Sequence, residues 1–390
     1  MKNSLKLLLS VAVAFVVVSR LAFAYPGCAF LAYPNPTLAE EVADADVVAL
    51  VSLVNQAADQ TSRHVEFQIK RIAKGDGSLK VGQHKTISGF KTGKLGDLYI
   101  MFGLQNEKTK QFAWGLRTTS ELAFDFAIAS PSPKLAAEKR LTYYIPHLGH
   151  ADEFIAKDAL AEFSAAEIAD YRKISSKLSR KKLLQLALHE KSRRSLYGVL
   201  LGFCGDEKTA EALRSKILED DPTFRIGMDG MMSGYLMLTG EKGLDLLEQR
   251  KFKKGVSFHE TYCLLQAIRF MWRHGEDKIS IARLRQSVRI LLEYADLADL
   301  VIVDLIRMED WSWLDRIVKL YDRKDFNNNA TQRAIIRYLL ITSREVEFKI
   351  KDEKWLTVEI SKQAKIHLDS IRERDPAQVK KTLRFFKLLN

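Results

Sequence analysis

The chain predicts an α+β protein of more than one domain: a small antiparallel β-barrel, OB-like, followed by a HEAT-like α-solenoid. Three observations lead there. Residues 25–130 hold short β-rich runs cut by glycine turns, Pro131-Ser132-Pro133 interrupts the chain, and residues 134–390 read as one amphipathic helix after another. In that last stretch Gly, Asp-Pro or Ser recurs every 10–18 residues, the spacing of short helix pairs.

Residues 1–24 are expected to be a signal peptide. Met1-Lys2-Asn3-Ser4-Leu5-Lys6 is a short basic start and Leu7 to Ser19 is almost unbroken apolar sequence. Ala22-Phe23-Ala24 then offers small residues at the two positions a signal peptidase reads, which puts cleavage before Tyr25. The expected location is extracytoplasmic, periplasmic or secreted. Arg20 cuts the apolar run to 13 residues, too short to span a bilayer at about 1.5 Å per residue. A lipoprotein modified at Cys28 needs a Leu-like residue three positions earlier, and Tyr25 stands there. No later segment reaches about 18 uninterrupted apolar residues, so the mature chain is expected not to be transmembrane.

The β-rich runs are Asp46–Val54, Arg63–Ile72, His84–Phe90, Asp97–Phe102, Phe112–Arg117 and Leu122–Ile128. In the second, Val65, Phe67 and Ile69 alternate with polar residues and would share one face. Gly75-Asp76-Gly77, Val81-Gly82 and Gly93 to Gly96 are the turns. Five or six short strands at this spacing suggest a closed or nearly closed barrel, with Leu38–Ala45 as a lead-in helix or turn. The two prolines after Ser130 disfavour helix in their neighbours and mark the boundary.

Beyond it the helices come with their caps. Ser164 stands before Ala165–Ile174 with Glu167 at capping-box spacing, Ser179 before Arg180–His189, and Gly205, Gly240, Gly255 and Gly275 close later helices. Stripes such as Leu183, Leu184, Ala187 and Leu188 follow helical periodicity and predict core. Two-sided stripes, as in Leu196–Phe203 and Leu264–Trp272, suit helices packed between neighbours.

Several segments carry a resemblance. Leu201-Gly202-Phe203-Cys204-Gly205, Asp229-Gly230-Met231-Met232-Ser233-Gly234-Tyr235 and Ala267-Ile268-Arg269-Phe270-Met271-Trp272 are three of them. Asp296 to Leu300, Asp304-Leu305, Trp311, Trp313 and Arg333-Ala334-Ile335-Ile336-Arg337-Tyr338 are the others. The chain resembles exported planctomycete HEAT-like repeat proteins of unassigned function, built from an N-terminal β-domain and an α-solenoid. The resemblance implies fold and compartment and transfers no catalytic residue. Such proteins commonly carry a Cys pair near the mature N-terminus, whereas this chain has Cys28 alone there.

The formal charge of +12 falls to +9 without Lys2, Lys6 and Arg20. Residues 25–133 are balanced, with 11 basic and 11 acidic residues, so the excess belongs to the helical part. The excess suits a solvated convex face rich in Lys and Arg, or else an acidic surface partner such as lipid headgroups or an anionic polysaccharide; nucleic acid is not expected of an exported protein. Three cysteines exclude a disulfide-dense module, and Cys204 and Cys263 fall in apolar helical stretches that suit buried thiols.

No nucleophile elbow, Walker A loop, dinucleotide fingerprint or paired-Cys metal site occurs. Four weaker constellations remain. His259 and Cys263 are spaced i,i+4 with Glu260 beside them, half of a zinc-site pattern that lacks a second His and a third ligand. His147, His150 and Asp152 gather at a helix junction, where they suit either a loosely held metal or the helix dipoles. Arg269 and Arg273 flank Trp272, and Arg333 and Arg337 repeat the i,i+4 spacing. All four sit on otherwise apolar helices, where a charge needs either a carboxylate such as Asp304 or Glu309 or a ligand. Trp311 and Trp313, with Tyr321, suit an aromatic platform or core plugs between repeats. No cofactor is implied. The function expected is non-catalytic: an exported scaffold whose helical surface holds a protein or an anionic polymer. The alternative is an enzyme or small-ligand protein with a site between the β-domain and the helices.

Overall fold

The computed structural model describes residues 36–56, 64–75, 77–88, 93–219, 225–253, 255–346, 348–350 and 355–387. The expected signal segment 1–24, Tyr25 and Cys28 lie outside the described residues. The architecture is α+β, a curled five-stranded antiparallel sheet followed by helices.

A short helix, α1 (Leu38–Asp44), leads in through a capping box: the Thr37 hydroxyl accepts from the Glu40 N–H while Glu40 accepts from the Thr37 N–H. The strands are β1 (Val47–Gln56), β2 (His64–Lys74), β3 (His84–Ser88), β4 (Leu98–Gln105) and β5 (Phe112–Thr118), in sheet order β3-β2-β1-β4-β5. The β1–β2 register shifts three times, between Val48 and Ala49, Leu50 and Val51, and Leu53 and Asn55. Such irregularities bend strands and tighten their twist, which accounts for the curl. Val65, Phe67 and Ile69 do share the inner face, packed with Val47, Ala49, Val51 and Met101.

The barrel is only half made. Sequence spacing suggested a closed or nearly closed barrel, but β3 and β5 are the two edges of the sheet. β3 is five residues long, and the gap between the edges is bridged by a side chain, with Lys85 Nζ 4.9 Å from the Trp114 ring. The sixth expected strand is also a correction: Leu122–Ile128 lies in a helix, α2 (Glu121–Ala129), capped by the Ser120 hydroxyl on the Ala123 N–H. Two different cores explain why it read as a strand. Phe124 and Ala127 pack on the outer face of the sheet with Val48, Leu50 and Ile100, whereas Ala123 and Phe126 join the helical core. A helix apolar on two sides loses the one-sided stripe that identifies helices.

The remaining helices are α3 (Ala137–Tyr144), α4 (Glu153–Ala165), α5 (Ile168–Lys173), α6 (Arg180–His189), α7 (Arg194–Cys204) and α8 (Glu207–Leu218). Then come α9 (Met228–Thr239), α10 (Glu241–Lys251), α11 (Phe258–His274), α12 (Ile281–Ile290), α13 (Ala298–Arg307) and α14 (Leu314–Lys319). The chain ends on α15 (Asn329–Thr342), α16 (Val358–Arg374) and α17 (Pro376–Lys387). Ser179 caps α6 as expected. Ser164 caps nothing: it lies inside α4, where its hydroxyl donates back to the Leu160 carbonyl at 2.8 Å. Buried Ala161 and Phe163 hold the apolar face of α4 up to Ser164, and the helix runs on to Ala165.

Helix α9 packs against both α7 and α11. Its closeness to α7 depends on glycine. A Cβ on Gly198 would lie 2.6 Å from the Gly230 carbonyl carbon, and one on Gly202 would lie 2.9 Å from the Gly234 Cα. Two of the segments that carry the resemblance therefore meet backbone to backbone.

Candidate anion-binding cleft

Helices α11, α13, α15 and α17 enclose a cleft of about 490 Å3. Two of them, α13 and α15, each contribute one helical stripe. Leu300, Val303 and Arg307 face it from α13, and Ala330, Arg333, Ala334 and Arg337 from α15. Both sets follow the three- and four-residue spacing of a single helix face. Arg269 enters from α11, while Thr382 and Phe385 close the side formed by α17.

The charges have an order. Asp304, 1% exposed, lies behind the cleft wall and accepts from Arg269 Nε at 2.7 Å and Nη2 at 2.6 Å. Arg269 Nη1 donates to Gln266 Oε1 at 2.7 Å, so all three of its nitrogens have partners. Arg307 reaches Asp304 from the other side at 3.4 Å. Burial pushes the Asp304 carboxyl above the usual range, opposed by Arg269, Arg307 and Arg273. Arg333 anchors its Nε on the Asn329 carbonyl at 2.9 Å. Burial, and then the like charge of Arg307, hold the Arg337 guanidinium below its ordinary range. Four guanidiniums thus meet two carboxylates, Asp304 and the lining Asp299. The cleft is cationic with apolar walls.

The sequence candidates divide around this site. Arg269, Arg333 and Arg337 converge in it, and the carboxylate suggested for Arg269, Asp304, is its partner. Arg273 does not line it; its guanidinium lies 5.7 Å from the half-buried Trp272 ring. Trp311 is not a platform residue. It is 1% exposed and packs 5.5 Å from Tyr338, a plug in the core. Trp313 sits apart, between the guanidiniums of Arg289 and Arg316. Arg307, Thr382 and Phe385 were missed, although Arg307 follows Leu300 and Val303 at helical spacing and was legible on that ground.

The arginines of α12 have other duties. Arg283 pairs with Glu248 and Asp245, Arg289 with Asp310, and Arg285 donates to the Met308 carbonyl. They are used in joining helices.

The histidine clusters are also tied into the fold. Asp152 caps α4, accepting from the Phe154 and Ile155 N–H groups and from the Ser120 hydroxyl. His150 Nδ1 accepts from the Asp152 N–H at 3.0 Å, and His147 packs edge-on against Phe126 and tilted against Tyr143. Cys263 Sγ lies 3.5 Å from His259 Nε2, but burial holds its thiol well above the usual range and Glu260 is taken by Arg225 and Lys251. Among the described residues no three His, Cys, Asp or Glu side chains form a metal-holding group. Cys204 and Cys263 are free thiols, and burial pushes Cys204 up to about 11.

A second cleft, about 400 Å3, lies at the seam between the sheet and α4, lined by Leu38, Leu116, Arg117, Phe154 and Asp158 among others. Asp158 is 5% exposed. Its Oδ1 accepts from the Leu38 N–H at 2.7 Å, and its Oδ2 is buried without a hydrogen-bond partner among the described residues. Glu162, fully buried, faces Arg140 at 3.2 Å, and Glu41 faces Arg117 at 2.7 Å. Burial pushes Glu41 and Asp158 up to about 7 and raises Glu162.

Compared with protein-family profiles, curated proteins and solved structures, the chain matches none. Among the described residues no helix is long and apolar enough to cross a membrane.

Proposed function

We propose that this protein is a non-catalytic binding protein that holds an anionic partner on the surface of its helical region, at the arginine cleft. One observation carries the reading: Arg269, Arg307, Arg333 and Arg337 converge from three helices on a single apolar-walled cleft, with Asp304 behind it and Asp299 in its lining among the described residues. Clefts lined by one sign of charge raise the local concentration of the opposite ion and speed its capture. The planar guanidinium suits carboxylate and phosphate recognition better than a lysine does.

In the same reading the helical region is a HEAT-like solenoid. The packing of α9 between α7 and α11, and of α15 against α13 and α16, supports it. The half-barrel is OB-like in this reading, with β3 and β5 as the edges along which such a barrel closes. The protein belongs to the exported planctomycete HEAT-like group on the segments quoted above, and works outside the cytoplasm after loss of residues 1–24. Intact mass of the protein from its native host tests that last point, since a chain beginning at Met1 would contradict it.

The cleft is tested by titrating the full chain with a polyuronate at rising ionic strength. Binding that weakens with salt and falls in R333Q/R337Q supports the reading; equal binding by that variant sinks it. A small-ligand or enzymatic site at the seam is the alternative, favoured by Asp158, a cleft-lining carboxyl pushed up to about 7, with Glu41, also raised to about 7, paired to the lining Arg117. A ligand whose affinity responds to D158N and ignores R333Q/R337Q would favour it.

A further inference from the structure

The arginine cleft has two chemistries, and an anion alone would use one of them. Its volume, about 490 Å3, is that of a small-molecule site, the size of one ligand or of one unit of a polymer. Leu300, Val303 and Ala334 make apolar wall beside the guanidiniums, and Phe385 stands at the cleft 59% exposed. A large exposed aromatic beside a charged pocket is apolar surface waiting to be covered.

The arginines are also unequal. Arg269 is committed to Asp304 and Gln266, so it serves as wall and as an anchor for the local geometry. Arg307 lies close enough to Arg337 to disfavour its charge, and Arg337 is partly withdrawn from water. An anion between them relieves that repulsion, and poor solvation strengthens the attraction. Arg333, anchored through Nε, presents its outer nitrogens one helical turn away. These three groups line the same cleft as the apolar wall of Val303, Ala334 and Phe385.

We infer that the cleft takes a small anionic amphiphile, with one phosphate or carboxylate headgroup at Arg307, Arg333 and Arg337 and an acyl or aryl body against Val303, Ala334 and Phe385. This rests on the reading of the cleft as an anion site and narrows it to a ligand class. Arginine forks engage such headgroups through paired N–H donors.

Calorimetric titration of the full chain with octyl phosphate, inorganic phosphate and octanol, each below micelle formation, tests it. Octyl phosphate binds at least about tenfold more tightly than either fragment, since each buried methylene adds to affinity. F385A, a surface substitution that leaves the fold intact, weakens octyl phosphate severalfold and leaves phosphate unchanged. R333Q/R337Q removes both. Vesicles containing anionic lipid distinguish a membrane-held headgroup from a free one: retention on vesicles without binding of octyl phosphate overturns the inference. Equal affinity for phosphate and octyl phosphate overturns it too, while leaving the anion site standing. Polyuronate binding that R333Q/R337Q abolishes, with no response to octyl phosphate, rejects the amphiphile and keeps the site. If no anion of any kind binds, both fall together.

Discussion

The arginine cleft and the seam between sheet and helices treat buried carboxylates in opposite ways. Behind the cleft, Asp304 is 1% exposed and two guanidiniums reach it, one at 2.6 Å. At the seam, Asp158 is nearly as buried, but its only hydrogen bond among the described residues is from the Leu38 N–H, and the nearby Arg117 is paired with Glu41. Burial raises both carboxyls. What differs is what each removal leaves behind. Deleting Asp304 strands a cation; neutralising Asp158 strands nothing. A buried charge organises its surroundings only where a partner depends on it.

The largest effect is therefore expected at Asp304. D304A leaves Arg269, whose side chain is 13% exposed, without its counter-charge. Removing one member of a buried pair costs about 3–5 kcal/mol. A chemical denaturation midpoint equal to that of the parent would contradict this account of the cleft wall.

Asp158 is expected to respond with the opposite sign. Its carboxyl stands at about 7 when folded and at 3.8 ordinarily, so the folded state binds the extra proton. Stability is then highest below the ordinary value, falls as pH rises towards 7, and levels off above it. Glu41 and Glu162 act in the same direction, facing Glu40, Arg117, Arg140 and Tyr144 across α1, β5 and α3. D158N keeps an oxygen for the Leu38 N–H and removes the charge, and should stabilise by about 1–3 kcal/mol at pH 8, with little change at pH 4. Thermal melts at the two pH values check it; destabilisation at pH 8 would mean that the ionised carboxylate has a partner.

A smaller change sharpens the seam further. The Ser120 hydroxyl caps α2 and also donates to Asp152. S120A is expected to cost about 1 kcal/mol. Native-state hydrogen exchange should place the loss in α2 and the start of α4 rather than across the sheet.

Much of the frame was legible. Five of six strand runs came from alternation and turns, and Val65, Phe67 and Ile69 lie on one face as their spacing indicates. Leu122–Ile128 misled because α2 serves two cores at once. Ser164 misled because cap chemistry is the same whether or not the apolar face continues. Arg269, Arg333 and Arg337 stood out because charges on apolar helices need a reason; Arg269 has one in its buried partner Asp304, and all three line the cleft. Asp158 and Glu162 could not be singled out: within α4 they resemble an ordinary polar face, and the contacts that bury them come from Leu38, 120 residues away, and from Arg140. Trp311 likewise looked the same as a platform or as a plug until Tyr338 was seen against it.

The central claim is that position, rather than net charge, makes the cleft an anion site. Its most direct test compares two variants of equal charge in a polyuronate titration at low ionic strength. R333Q/R337Q removes two cations from the cleft, and K208Q/K242Q removes two exposed cations from α8 and α10. The expected result is a loss of at least about tenfold for the arginine pair and less than about twofold for the lysine pair, as screened surface charges contribute little. Equal losses would mean that the protein attracts anions through diffuse charge, and the cleft would not be the site.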